Sequence, residues 1–362
     1  MESKRQSNIE LLRIIAMSGV IFLHYFNADA GAGVTFVKSG SLNELILYIL
    51  EAINICAVNL FIMISAYFLS KSQKRTIGKC IKILLQVIIY RLIVYMCGWL
   101  CFHESFSIRA LLASFLPINW FIICYVALYL ISPLINLAYQ YLSLKAQIQM
   151  TFLIIFLFSF QPTMVDILSQ LIGSEVRGLS TIGMYGSERG YTITQFVVCY
   201  CVGLLLSKID LNNIKIKKME LKQIHLLAMW IIEVLIITLW GCYINPYTGR
   251  EYCNPFILCE AVTILVLFLR IDIGVSSIIN SIASSAISVY LLHNFFIRFA
   301  NIPKYVNMSA FIMIGHIFIT ITVVVFLSWI FDGIYKKTMR SANKRIENIG
   351  IFVLKNDEIK KT

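Results

Sequence analysis

NIELLRIIAMSGVIFLHYF, residues 8–26, is the stretch on which the fold turns. At about 1.5 Å per residue it makes a helix of roughly 28 Å, long enough to cross the hydrocarbon core of a bilayer. It also carries Glu10, Arg13 and His24, each costing on the order of 3 kcal/mol near the membrane centre. At about 100° per residue, Arg13 and His24 point within roughly 20° of each other and lie about 16 Å apart along the helix axis. Glu10, three residues before Arg13, falls near the same stripe. Ionisable groups inside a span are functional by default; the competing account is an interhelical salt bridge plus a hydrogen-bonded histidine.

Composition sets the class. The chain is 59% hydrophobic and 14% charged, with a mean hydropathy of +0.80, whereas soluble domains are about a quarter charged. This is a polytopic membrane protein, all-α, with about ten transmembrane helices at 9–28, 45–69, 81–101, 119–138, 150–168, 191–207, 224–243, 255–271, 281–300 and 309–331. With the N-terminus inside, the inner segments hold 21 of the 31 Lys and Arg and the outer ones six. That asymmetry places both termini in the cytoplasm and explains the net charge of +12 as topology, not as nucleic-acid binding. No cleavable leader is expected, because Arg13 interrupts any short apolar core of that kind. The division is a transmembrane domain over 1–335 and a basic cytoplasmic tail over 336–362, an inside anchor that can also meet anionic lipid.

The ten cysteines sit mostly in or beside apolar segments and read as small core residues. Only Cys242 and Cys253 flank one loop, and no pair has zinc-finger spacing, so no metal is expected.

Three later stretches give the first one a context. VNLFIMISAYFLS (58–70) carries Ser65 in a Phe-x-x-x-Ser-Ala-Tyr run. PINWFIICYVALYLISPLIN (117–136) joins Trp120 to a Leu-Tyr-Leu-Ile-Ser-Pro run whose Pro133 should kink or end the helix. SVYLLH (288–293) contains Tyr290 and ends at His293, followed by Asn294. Together with Arg13-x10-His24 they resemble the integral-membrane acyltransferase-3 family, and GYTITQFVVCYCVGLLLS (190–207) is similar to a less distinctive segment of it. Ala66 and Ser288 stand where the family has glycine, and Asn294 where related chains often have aspartate, which unsettles a proton relay through His293 and its neighbour.

The resemblance implies an enzyme, an acyltransferase transferring groups other than amino-acyl groups, of the O-acetyltransferase type. The implied donor is acetyl-CoA or another acyl-CoA, with no bound cofactor, and the implied acceptor is a hydroxyl of a surface or lipid-linked glycan in a bacterial plasma membrane. Arg13, with Lys79 and Lys82, would hold the anionic end of the donor by charge-assisted hydrogen bonds. His24 would be the base or a transient acyl carrier. Helical rise places His293, His316 and Glu51 at about the depth of His24, so these four are the candidate catalytic layer. Arg91 and Arg298 are candidates for phosphate or oxyanion contacts, or for ion pairs with Glu51, Glu233 or Glu260. A proton-coupled transporter or glycan exporter would also scatter such groups through its spans, but predicts inverted repeats. A non-catalytic membrane subunit gives no reason for the motifs to coincide.

Overall fold

A computed structural model describes residues 6–28, 30–70, 74–174, 188–209, 215–216, 219–220, 222–244, 248–347 and 349–353. Helix α1 (Ser7–Phe26) is followed by the single turn α2 (Gly33–Phe36), then by α3 (Leu42–Asn54) and α4 (Ala57–Leu69). Strand β1 (Lys74–Thr76) leads into α5 (Ile77–Cys101), followed by α6 (Ile108–Ser114), α7 (Trp120–Gln140), α8 (Leu144–Ile155) and α9 (Gln161–Ile172). After α10 (Ile193–Leu206) come the short strands β2 (Lys215–Ile216) and β3 (Met219–Glu220), then α11 (Gln223–Leu239) and α12 (Pro255–Leu269). The chain closes with α13 (Ser277–Ala283), α14 (Ala286–Ile297), α15 (Ile302–Tyr305), α16 (Ala310–Thr338), α17 (Arg340–Glu347) and β4 (Ile351–Val353).

The architecture is an all-α polytopic bundle. Among the described residues, eight helical stretches are long and apolar enough to cross a membrane, and the other two expected spans are shorter. Helix α10 has 14 residues and α14 has 12, which is roughly 21 and 18 Å. The reasons are local. Gly190 at φ 77° ends the preceding turn, so α10 starts only at its Thr192 cap, and α14 is cut from α13 at Ser284–Ser285. Helix α10 lies inside the bundle against α4. A Cβ on Gly203 would sit 2.5 Å from Met63 O, so this close helix approach needs a residue without a side chain.

Pro133 does not end its helix; α7 runs on to Gln140. The carbonyl that the proline leaves without its N–H, that of Tyr129, accepts the Ser132 hydroxyl at 2.8 Å instead.

Helix α7 also begins part-way through the bundle. After Cys101 the chain turns back down alongside α5: Glu104 N donates to Gly98 O, and Ser107 N and O both bond the Tyr95 hydroxyl at 3.0 Å. The Arg91 guanidinium then donates to Ala113 O at 3.1 Å and Ile118 O at 3.2 Å. Arg91 thereby sets the depth at which Asn119 caps α7, the Asn119 side chain accepting from Ile122 N at 3.1 Å.

Candidate active site

Arg13, Met17 and Val20 on α1 recur at helical spacing and line one cavity of about 510 Å³. His24, four residues beyond Val20, continues the stripe. Arg13 lies early in α1, Lys79 and Lys82 are in the opening turns of α5, and Lys336 is near the end of α16; all four line the cavity at one end of the bundle. Farther in the walls are apolar, with Val58, Phe61 and Ile83, and Ser65 also faces the space. The inner limit is aromatic, formed by Phe121, Tyr125 and Tyr290. A basic mouth leading into an apolar shaft accommodates a ligand that is anionic at one end and uncharged along a narrow arm.

Each cation at the mouth has a partner. Arg13 bonds Glu10 at 2.7 Å, Lys82 pairs with Glu347, and Lys336 bonds Asp332 at 2.5 Å while also donating to Ser284. Lys79 lies over the Tyr129 ring, 4.6 Å from its centroid. Asp332, 3% exposed, also accepts from Ser285 at 2.7 Å and Ser288 at 2.5 Å. Ser288 in turn bonds Gln86 and Tyr90, each at 2.9 Å. The serine at the motif's glycine position is thus fully engaged in a polar knot that ties α5, α14 and α16 together.

Beyond the aromatic limit, His24 and His293 meet. Their ring centroids are 4.5 Å apart with planes inclined by 59°. His293 is 3% exposed and its Nδ1 lies 3.3 Å from Val289 O. A carbonyl only accepts, so Nδ1 carries the proton and Nε2 presents a lone pair. That Nε2 has no hydrogen-bond partner among the described residues. The Tyr290 ring sits 5.7 Å from His293 and 4.9 Å from Phe121, and its hydroxyl donates to Asn119 Oδ1 at 3.1 Å. Trp120 joins a ring cluster with Tyr191 at 4.6 Å and Tyr252 at 6.1 Å.

The other expected residues stand elsewhere. The Glu51 carboxylate bonds Arg250 at 2.8 Å, and the pair lines a separate small recess with Tyr48 and Thr238. His316 Nδ1 is 3.0 Å from the Tyr25 hydroxyl, and its ring stacks on Tyr305 at 4.1 Å. Tyr25 follows His24 in sequence but points about 100° around the helix, so His316 packs on a different wall. The four-residue catalytic layer expected from depth therefore separates into one close pair, His24 and His293, and two residues with other partners. Arg91 holds backbone carbonyls and does not line the cavity. Arg298 bonds Glu104 at 2.7 Å under the Phe295 ring. Asn294 is exposed on the side of α14 away from buried His293. None of the ten cysteines is in a disulfide, Cys242 and Cys253 included.

Lys336, Asp332 and Asn119 are among the residues that escaped the sequence reading. Lys336 and Asp332 had a visible signal, the i,i+4 acid–base spacing at the end of an apolar span. Asn119 had a weaker one, a cap residue directly before Trp120.

Two imidazoles in contact, the His293 one with a bare nitrogen, stand behind the aromatic wall that closes a cavity with a cationic mouth, and such a pair can move a proton. No curated protein and no solved structure matches the chain. The family model of the acyltransferase domain, Acyl_transf_3, matches residues 6–333, and the protein belongs to the acyltransferase-3 family.

Proposed function

We propose that the protein moves an acyl group, acetyl in the simplest case, from acyl-CoA to a hydroxyl of a cell-surface or lipid-linked glycan. The observation that carries this reading is the single cavity that joins Arg13, Lys79, Lys82 and Lys336 to Tyr290, one helical turn before His293. The CoA phosphates meet the cations, the pantetheine arm follows the apolar walls, and the thioester approaches the histidine pair. The basic end then faces the cytoplasm, where acyl-CoA is made, and both termini lie there; the host membrane is a bacterial plasma membrane.

In the transfer step an imidazole nitrogen of His24 takes the proton of the acceptor hydroxyl while the hydroxyl oxygen bonds to the thioester carbonyl carbon. The tetrahedral adduct collapses with cleavage of the C–S bond, and the CoA thiolate takes the proton back from the imidazolium. Such general-base assistance is worth about 10²–10⁴-fold. His293, packed against His24, fixes the orientation of that ring. Mass spectrometry of surface glycans from cells carrying the wild type or His24→Ala tests the reading: acyl esters are expected with the first and not with the second. Unaltered esters in His24→Ala cells overturn it.

A further inference from the structure

After α16 the chain turns at Met339, and α17 runs across the opening turns of α5. The contact is tight. A Cβ on Gly78 would lie 1.8 Å from Ile346 O, so only glycine lets the two backbones meet there. Ile77 N donates to Gly350 O at 3.1 Å and Gly78 N to Ile349 O at 3.0 Å. These take up two of the N–H groups that a helix N-terminus leaves open. Beyond them, β4 pairs antiparallel with β1, from Thr76 opposite Ile351 to Lys74 opposite Val353. At the inner edge of this strap Glu347 reaches the cavity lining and pairs with Lys82.

The three carboxylates that partner the mouth cations differ in kind. Glu10 and Asp332 are 6% and 3% exposed, on helices fixed within the bundle. The Glu347 side chain is 51% exposed and belongs to the terminal segment. A buried carboxylate that left its cation would strand a charge, whereas Glu347 can exchange its partner for water at little cost.

We propose that residues 340–347 and 349–353 form an intramolecular lid on the donor cavity, in which Glu347 holds on Lys82 the place of a donor phosphate. The closed lid keeps the cationic mouth neutralised. An incoming polyanion displaces Glu347, frees Lys82 and loosens the backbone bonds at the start of α5. The inference rests on the acyl-CoA reading of the cavity.

The test uses the purified full-length protein in detergent at low ionic strength, with CoA as the probe. Calorimetry compares the wild type with Glu347→Gln, which keeps the side chain's size and removes its charge. CoA should bind the variant roughly two- to fivefold more tightly, the range of an exposed ion pair, and salt should shrink the gain. Amide hydrogen exchange at Ile77 and Gly78 should quicken when CoA is added to the wild type. An unchanged or weaker affinity in Glu347→Gln overturns the lid, as does CoA binding that leaves that exchange unaltered, since the segment is then a fixed strap. If neither protein binds CoA, the donor reading itself fails, and the lid with it.

Discussion

Glu10 holds the guanidinium of Arg13 at 2.7 Å, one turn apart on α1, and leaves it on the cavity wall. A carboxylate 6% exposed with a cation at its side is a stable way to keep an arginine inside a span, and the guanidinium retains further donors for a ligand. Arg13→Ala should therefore weaken CoA binding by about tenfold or more, the worth of a charge-assisted contact of roughly 1.5–3 kcal/mol. Arg13→Lys should recover part of it. Calorimetry and detergent melting on the same preparations separate two roles, because unchanged CoA affinity with a collapsed Tm would assign Arg13 to folding alone.

The contact between His24 and His293 divides their expected phenotypes from that of Arg13. His24→Ala should abolish acyl transfer while leaving CoA affinity within about twofold, because a base acts on the acceptor proton in the transition state. His293→Ala should also lower transfer, by reducing turnover and not donor affinity, since the ring it orients lies beyond the cavity's aromatic limit. Transfer at wild-type rates in either variant would remove that residue from the mechanism.

Glu51 makes a contrary case. Its carboxylate is 4% exposed and bonds Arg250, whose guanidinium lies over the Tyr48 ring at 4.7 Å. Arg250→Ala should destabilise the folded protein by about 3–5 kcal/mol, because it strands a buried charge. Glu51→Gln should cost much less and leave transfer intact. Loss of transfer in a stably folded Glu51→Gln protein would return Glu51 to the catalytic set.

The difference between these cases marks how far the sequence could be read. Spans, family and the Arg13–His24 stripe are one-dimensional properties of apolar runs and helical periodicity, so they were legible. Helical rise gives an expected depth for each side chain, but depth fixes only one of three coordinates. Rotation about the helix axis sends His24 toward His293 and the adjacent Tyr25 toward His316, and no local pattern announces which helices stand on either side. The shortening of α10 and α14 was hidden for a related reason. Both sit among other helices, so an apolar run around them reports burial in protein as readily as contact with lipid. Arg91 was assigned to the donor by charge alone. Its role as an anchor for residues 113–118 depends on the chain turning back after Cys101, a tertiary event.

That anchor leads to the last prediction. Arg91 sets the position of Ile118, and the next residue, Asn119, both caps α7 and accepts from the Tyr290 hydroxyl. Tyr290 lines the cavity and faces His293, so Asn119 ties the cavity's inner wall to the histidine pair, and in the proposed reaction it acts as a positioning residue. Asn119→Ser should keep the cap, since serine is as good a cap as asparagine, but its side chain is too short to reach Tyr290. Asn119→Asp should keep both bonds. We expect Asn119→Ser and Tyr290→Phe each to lower turnover several-fold with little change in Tm, and Asn119→Asp to retain activity. The double variant Asn119→Ser/Tyr290→Phe should be no worse than either single one, because both remove the same hydrogen bond. Thiol release from acetyl-CoA, followed in membranes that contain the native acceptor, measures all four. Additive losses in the double variant would mean that Asn119 and Tyr290 act separately, and equal Tm losses without a change in turnover would reduce the pair to packing.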